Sequence, residues 1–128
     1  MVNYVAILVA ALAYFVLGWL WYGPLFGKLW MKLQGMNPKK MDNKGMAGKL
    51  AIHFVANVVM AFVLARLVTV GNLTVSLIMG VWFWLGFMAT MSLGKVLWEK
   101  KPFSLYALDN AHNLLGVLIM SGILAWWA

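Results

Sequence analysis

Four ionisable side chains stand inside long apolar runs: His53, Arg66, Asp109 and His112. Placing such a group in lipid costs roughly 2.5–3.5 kcal/mol on insertion scales, so each needs a reason to be there. Asn57, Asn110 and Asn113 accompany them. His53 and Asn57 are four residues apart and share one helical face. Asp109, His112 and Asn113 share another. Each set falls near the start of its apolar run, so the two can meet at one depth. Arg66 falls near the opposite surface and can snorkel outward. The expected polar site is therefore His53, Asn57, Asp109, His112 and Asn113. An Asp beside a His can relay a proton, gate a permeation path or hold a cation. The same residues can also act as glue between helices, worth on the order of 0.6 kcal/mol per contact.

Two histidines on different helices also suit bis-histidine haem ligation through His53 and His112 in a four-helix bundle. This is a weaker alternative, and no cofactor is expected. Asp109 and His112, at i and i+3, could hold a metal with His53, but a fourth protein ligand is missing, so no metal site is assigned. There is no cysteine, hence no disulfide and no thiolate ligand. No serine-nucleophile motif, phosphate loop or paired carboxylates occur, so an enzyme is not expected.

The elements that must position these residues follow from composition. Of 128 residues, 65% are hydrophobic and only 10% are charged. A soluble domain carries about 25% charge. The mean hydropathy is +0.88. So short a chain has too little interior to hide that apolar surface from water. A soluble enzyme, a disordered tail and a DNA-binding domain are excluded. An all-α integral membrane protein remains, built as one four-helix transmembrane domain over residues 1–128. The apolar runs are roughly 4–22, 50–70, 73–94 and 105–127. Each is long enough for a hydrocarbon core of roughly 30 Å. They are continuous rather than alternating, and backbone in lipid must bond to itself, which favours helices.

Tyr22-Gly23-Pro24 reads as the end of the first span. Gly71-Asn72 reads as a tight turn that makes the second and third spans an antiparallel hairpin. Residues 24–34 read as a short interfacial helix, with Leu25, Phe26, Leu29, Trp30 and Leu33 on one face and Lys28 and Lys32 opposite. A polar loop over about 36–49 follows. The run Ala11-Leu12-Ala13 imitates a signal-peptidase site. No Lys or Arg precedes it and the apolar run continues to Trp21, so the first helix is expected to be retained.

The net charge of +7 sits almost entirely in two connections. One carries Lys28, Lys32, Lys39, Lys40, Lys44 and Lys49, the other Lys95, Lys100 and Lys101. Both lie on one side of a four-span chain. The positive-inside rule makes that side cytoplasmic and puts both termini outside, in the periplasm. This explains the basic charge better than a nucleic-acid partner. Trp19, Trp21, Tyr22, Trp30, Trp98, Tyr106, Trp126 and Trp127 fall near span ends, as an interfacial belt in contact with membrane lipids should. Small residues such as Gly18, Gly80, Gly86 and Gly116 read as helix-packing positions.

An internal repeat is also legible. Ala51-Ile52-His53 before Asn57 resembles Ala107-Leu108-Asp109 before Asn113. Gly27-Lys28-Leu29-Trp30 resembles Gly94-Lys95-Val96-Leu97-Trp98. The first and second spans would then correspond to the third and fourth.

The run Gly18-Trp19-Leu20-Trp21-Tyr22-Gly23-Pro24-Leu25-Phe26-Gly27-Lys28-Leu29-Trp30-Met31 resembles the opening signature of a bacterial membrane family, domain of unknown function 1761. Trp84-Leu85-Gly86-Phe87 and Trp98-Glu99-Lys100-Lys101-Pro102 resemble its later blocks. The resemblance covers nearly the whole chain. It implies a small multi-pass protein of the bacterial plasma membrane and brings no catalytic residues. It marks Trp21, Tyr22, Gly23, Pro24, Phe26, Gly27 and Trp30 as an interfacial signature. Two functions are expected to compete. One is binding or passage of a small solute or ion, through an inner-leaflet site shared by the second and fourth spans. The other is a non-catalytic subunit of a larger membrane complex. Four short helices enclose little interior, so self-association into a homo-oligomer is expected.

Overall fold

The computed structural model describes residues 3–35 and 45–127. Most of the polar loop, residues 36–44, lies outside the described residues. Among those described the chain is all helix, without strands. Four helices are long and apolar enough to span a membrane: Tyr4–Leu25, Met46–Ala65, Leu73–Leu97 and Phe103–Trp126. An amphipathic helix, Gly27–Gln34, follows the first span and ends at Gly35.

The first and third spans start alike. Asn3 Oδ1 accepts the Ala6 N–H at 3.2 Å, and Asn72 Oδ1 accepts the Val75 N–H at 3.0 Å. Each satisfies a helix-start donor that lipid could not. Both spans then pass from α into π geometry, at Trp21–Leu25 and Trp84–Ala89. Each π stretch is followed by a short helix beginning at a glycine, Gly27–Gln34 after the first and, beyond the helical turn Thr90–Ser92, Gly94–Leu97 within the third span.

Pro24 does not end the first span as expected. It sits inside the π stretch. A proline normally clashes with the carbonyl one turn back and removes its donor. The widened turn accommodates this, and the Phe26 N–H reaches the Trp21 carbonyl at 2.8 Å. The corner then closes tightly. A Cβ on Gly27 would lie 2.7 Å from the Tyr22 carbonyl oxygen, so only glycine fits without a backbone shift.

The spans pack in a row: second, first, fourth, third. The first and fourth spans form the centre and meet where Gly116 faces Tyr14. An added Cβ on Gly116 would collide with the Tyr14 ring. Small residues permit such close approach, which is a main source of helix association in lipid. Around this seam Ala6, Ile7, Ala10, Ala11, Ala61, Leu64, Val117, Met120 and Leu124 form the core.

The expected hairpin of the second and third spans is not a packed pair, because these helices scarcely touch. The second span runs over Met46–Ala65, displaced toward its start from the expected 50–70, and residues 66–72 cross the row to the third span. The crossing segment is pinned to the end of the fourth span by the Gly71 N–H on the Ala125 carbonyl, at 2.8 Å. Ser76 Oγ bonds both the N–H and the carbonyl of Thr69, each at 2.9 Å.

Candidate functional site

Polar side chains gather at the lysine-bearing end of the row, where the π stretches lie. The fourth span presents Tyr106, Asp109, Asn110 and Asn113, spaced i, i+3, i+4 and i+7 on one face. The first span supplies Tyr14 and Tyr22 to the same region. Tyr22 OH donates to Asp109 Oδ1 at 2.7 Å, and Tyr14 OH donates to Asn113 Oδ1 at 3.0 Å. These two bonds join sequence positions 87 and 99 residues apart.

The third span is tied in through its π stretch. Trp84 Nε1–H donates to the Asn110 carbonyl at 3.0 Å. Tyr106 OH donates to the Ala89 carbonyl at 2.8 Å. The buried Asn110 amide donates to Ser92 Oγ at 3.0 Å and to the Tyr106 carbonyl at 2.9 Å. Widened turns often mark functional positions, because they free backbone groups for new partners.

Between these walls lies a cleft of about 480 Å³. The first span contributes Tyr22, the amphipathic helix Trp30 and Gln34, and the third span Ser92, Lys95 and Val96. Lys101 stands on the connection, and Leu105, Tyr106, Asp109, Asn110 and Asn113 come from the fourth span. The amphipathic helix is therefore one wall of the cleft. Its Leu29 remains exposed, while Trp30 turns inward against Tyr22 with ring centroids 5.5 Å apart. The lysine rim is set by backbone. Lys100 takes a left-handed φ of 56°, and the Lys101 N–H donates to the Lys95 carbonyl at 3.0 Å. That φ costs an L-residue roughly 1–2 kcal/mol.

The residues expected to form one site are only partly joined. Asp109, His112 and Asn113 belong together, through Tyr14 and Tyr22. His112 is buried behind the cleft, with Tyr14, Trp21 and Tyr22 ring centroids at 5.2, 5.9 and 5.0 Å. Its Nδ1 lies 3.1 Å from Asn113 Oδ1, an acceptor, so the ring presents Nδ1–H there. Its Nε2 has no hydrogen-bond partner, and neither does the buried Trp21 Nε1. His53 stands apart. It is exposed on the second span, beside Phe15 with ring centroids 5.9 Å apart. Asn57 is buried, and its amide nitrogen is unpartnered. The second span packs mainly on the first and touches the fourth only lightly, so His53 and Asn57 stay outside the cluster built on Tyr22 and Asp109. Sequence reasoning placed Tyr22, Trp30 and Tyr106 only at an interface, used Lys95 and Lys101 only for orientation, and missed Tyr14 and Ser92. The readable signal was the i, i+3, i+4, i+7 face from Tyr106 to Asn113. Among the described residues, no group of three His, Asp or Glu could hold a metal ion.

Fold and cleft together define a small α-helical protein with four membrane-length helices and a polar cleft at one end. The chain belongs to the family described as Protein of unknown function (DUF1761), whose model matches residues 5–125. No curated protein and no solved structure matches the chain significantly.

Proposed function

We propose that the chain binds a small polar solute in this cleft, in a bacterial plasma membrane, with the cleft open to the cytoplasm. The role is binding, not catalysis, and any passage across the membrane begins from this site. The observation that carries this reading is the cleft itself. It holds about 480 Å³ and is built on a hydrogen-bonded Tyr22–Asp109 pair at one end of four apolar spans. A concave site with a few convergent polar groups is the usual form of a small-molecule pocket. Toward the opposite end a cavity of about 330 Å³ lies between the first and second spans, against Ile7, Val58 and Phe62, and the first and fourth spans meet in the alanine-rich core around Ala10, Ala61 and Val117. Passage therefore requires the first and fourth spans to part there.

The test is equilibrium binding of a broad panel of small metabolites to the protein in lipid nanodiscs, followed by flux in liposomes for any that bind. Asp109→Asn and Tyr22→Phe are each expected to weaken binding about tenfold, the effect of losing one charge-assisted hydrogen bond. His53→Ala is expected to leave affinity unchanged. The reverse pattern would return the site to the second span and overturn the cleft.

A second reading is favoured by the outer spans. The second and third spans each pack along one face only, leaving Ile52, Val55, Leu85 and Phe87 outward. A second copy, or a larger complex in which the chain is an accessory subunit, would cover such faces. Native mass spectrometry after mild extraction separates a homo-oligomer from a hetero-complex.

A further inference from the structure

The solute-binding reading, on which this inference rests, leaves the ligand's chemistry open, and the cleft walls narrow it. Asp109 accepts one hydrogen bond, from Tyr22, at 2.7 Å. A carboxylate offers about four lone-pair sites, so it can also receive an ammonium. Tyr22 and Trp30 both line the cleft, with their rings at 70° to each other. Aromatic faces attract cations through their quadrupole, and a carboxylate beside them adds direct charge. The other charged groups are Lys95 and Lys101 on the rim, held together through the Lys101 N–H and the Lys95 carbonyl. Lysines act as point charges toward phosphate or carboxylate.

We propose that the cleft binds a small zwitterion, with its ammonium on Asp109 between Tyr22 and Trp30 and its anionic group on Lys95 and Lys101. The two lysines and one aspartate are matched by one ammonium and about two negative charges. An aminoalkyl phosphate, at about −1.5 to −2 on the phosphate at pH 7, has this balance. An amino dicarboxylate has it too. The head of an aminophospholipid presents the same two poles from the bilayer. Roughly 30 Å³ is one water's share of liquid, so the cleft has room for a ligand of roughly a dozen heavy atoms.

The experiment is calorimetry on the protein in phosphatidylglycerol nanodiscs at fixed ionic strength, with phosphoethanolamine, glutamate, ethanolamine and inorganic phosphate. At least one zwitterion is expected to bind about tenfold or more tighter than either single-sign probe. Asp109→Asn should erase the preference over phosphate, and Lys95→Ala with Lys101→Ala the preference over ethanolamine. If ethanolamine or phosphate binds as tightly as the better zwitterion, the proposal is overturned while solute binding stands. Phosphatidylethanolamine discs separate the two sources. Reduced affinity there assigns the site to the lipid head, and unchanged affinity assigns it to a free solute. If no probe saturates, and native mass spectrometry finds no preferential retention of phosphatidylethanolamine over phosphatidylglycerol, the zwitterion assignment falls. The solute reading then rests on its broader panel.

Discussion

Asn57 and Asn110 are both buried asparagines on spanning helices, yet their amides are in opposite situations. Asn110 bonds Ser92 and the Tyr106 carbonyl, whereas the Asn57 amide nitrogen has no partner. An unmet buried donor is destabilising, and replacing it with an apolar group of similar shape is neutral or better. Asn57→Leu is therefore expected to leave thermal stability in detergent unchanged or raised. Asn110→Leu removes the amide's two hydrogen bonds, to Ser92 Oγ and the Tyr106 carbonyl, although Ser92 Oγ keeps its bond to the Met88 carbonyl, and is expected to cost about 1–3 kcal/mol. Thermal unfolding of the two variants side by side checks this. A loss at Asn57 equal to that at Asn110 would contradict the assignment. At this scale the sequence was informative about depth and silent about direction. The position of His53 along its span was readable, but which neighbour it faces was not.

At the scale of elements, the four spans were legible because apolar length alone specifies them. The two π stretches were not. Pro24 reads as a stop in any sequence argument, and only the widened turn around it shows that it can be carried through. The order of packing was equally hidden, because the polar face of the fourth span gives the depth of a cleft, while the apolar faces of all four spans carry no stripe that names a partner. The corner at Gly27 tests the element directly. Gly27→Ala forces its Cβ toward the Tyr22 carbonyl and is expected to cost about 1–3 kcal/mol. Amide exchange over residues 27–34 should quicken and solute affinity should fall. Gly23→Ala is the control, since nothing lies within 4 Å of its added Cβ. Alanine there is expected to be neutral or slightly favourable, by up to about 1 kcal/mol. Equal exchange in the two variants would show that the corner does not hold the amphipathic helix.

At the scale of the whole molecule, the cytoplasmic placement of the cleft depends on orientation, which the lysine distribution predicts. The chain has no cysteine, so single introduced cysteines can be labelled without background. Glu99→Cys is expected to be shielded from an impermeant maleimide added outside intact cells, and Val70→Cys to react. The opposite pattern would turn the cleft to the outside.

The row of helices also bears on the order of assembly during synthesis. The first and second spans are neighbours in sequence and in space, so they can dock once both have entered the membrane. The third span enters next, but its packing partner is the fourth. Until the fourth span leaves the ribosome, the third lacks the helix it packs against, and its half of the cleft does not exist. The Gly71 tie to Ala125 forms only when that last helix is almost complete. The fourth span is thus both the wall that carries Asp109 and the keystone that locks a waiting helix, so the cleft and the packed row of four helices arrive together, once that helix has entered the membrane.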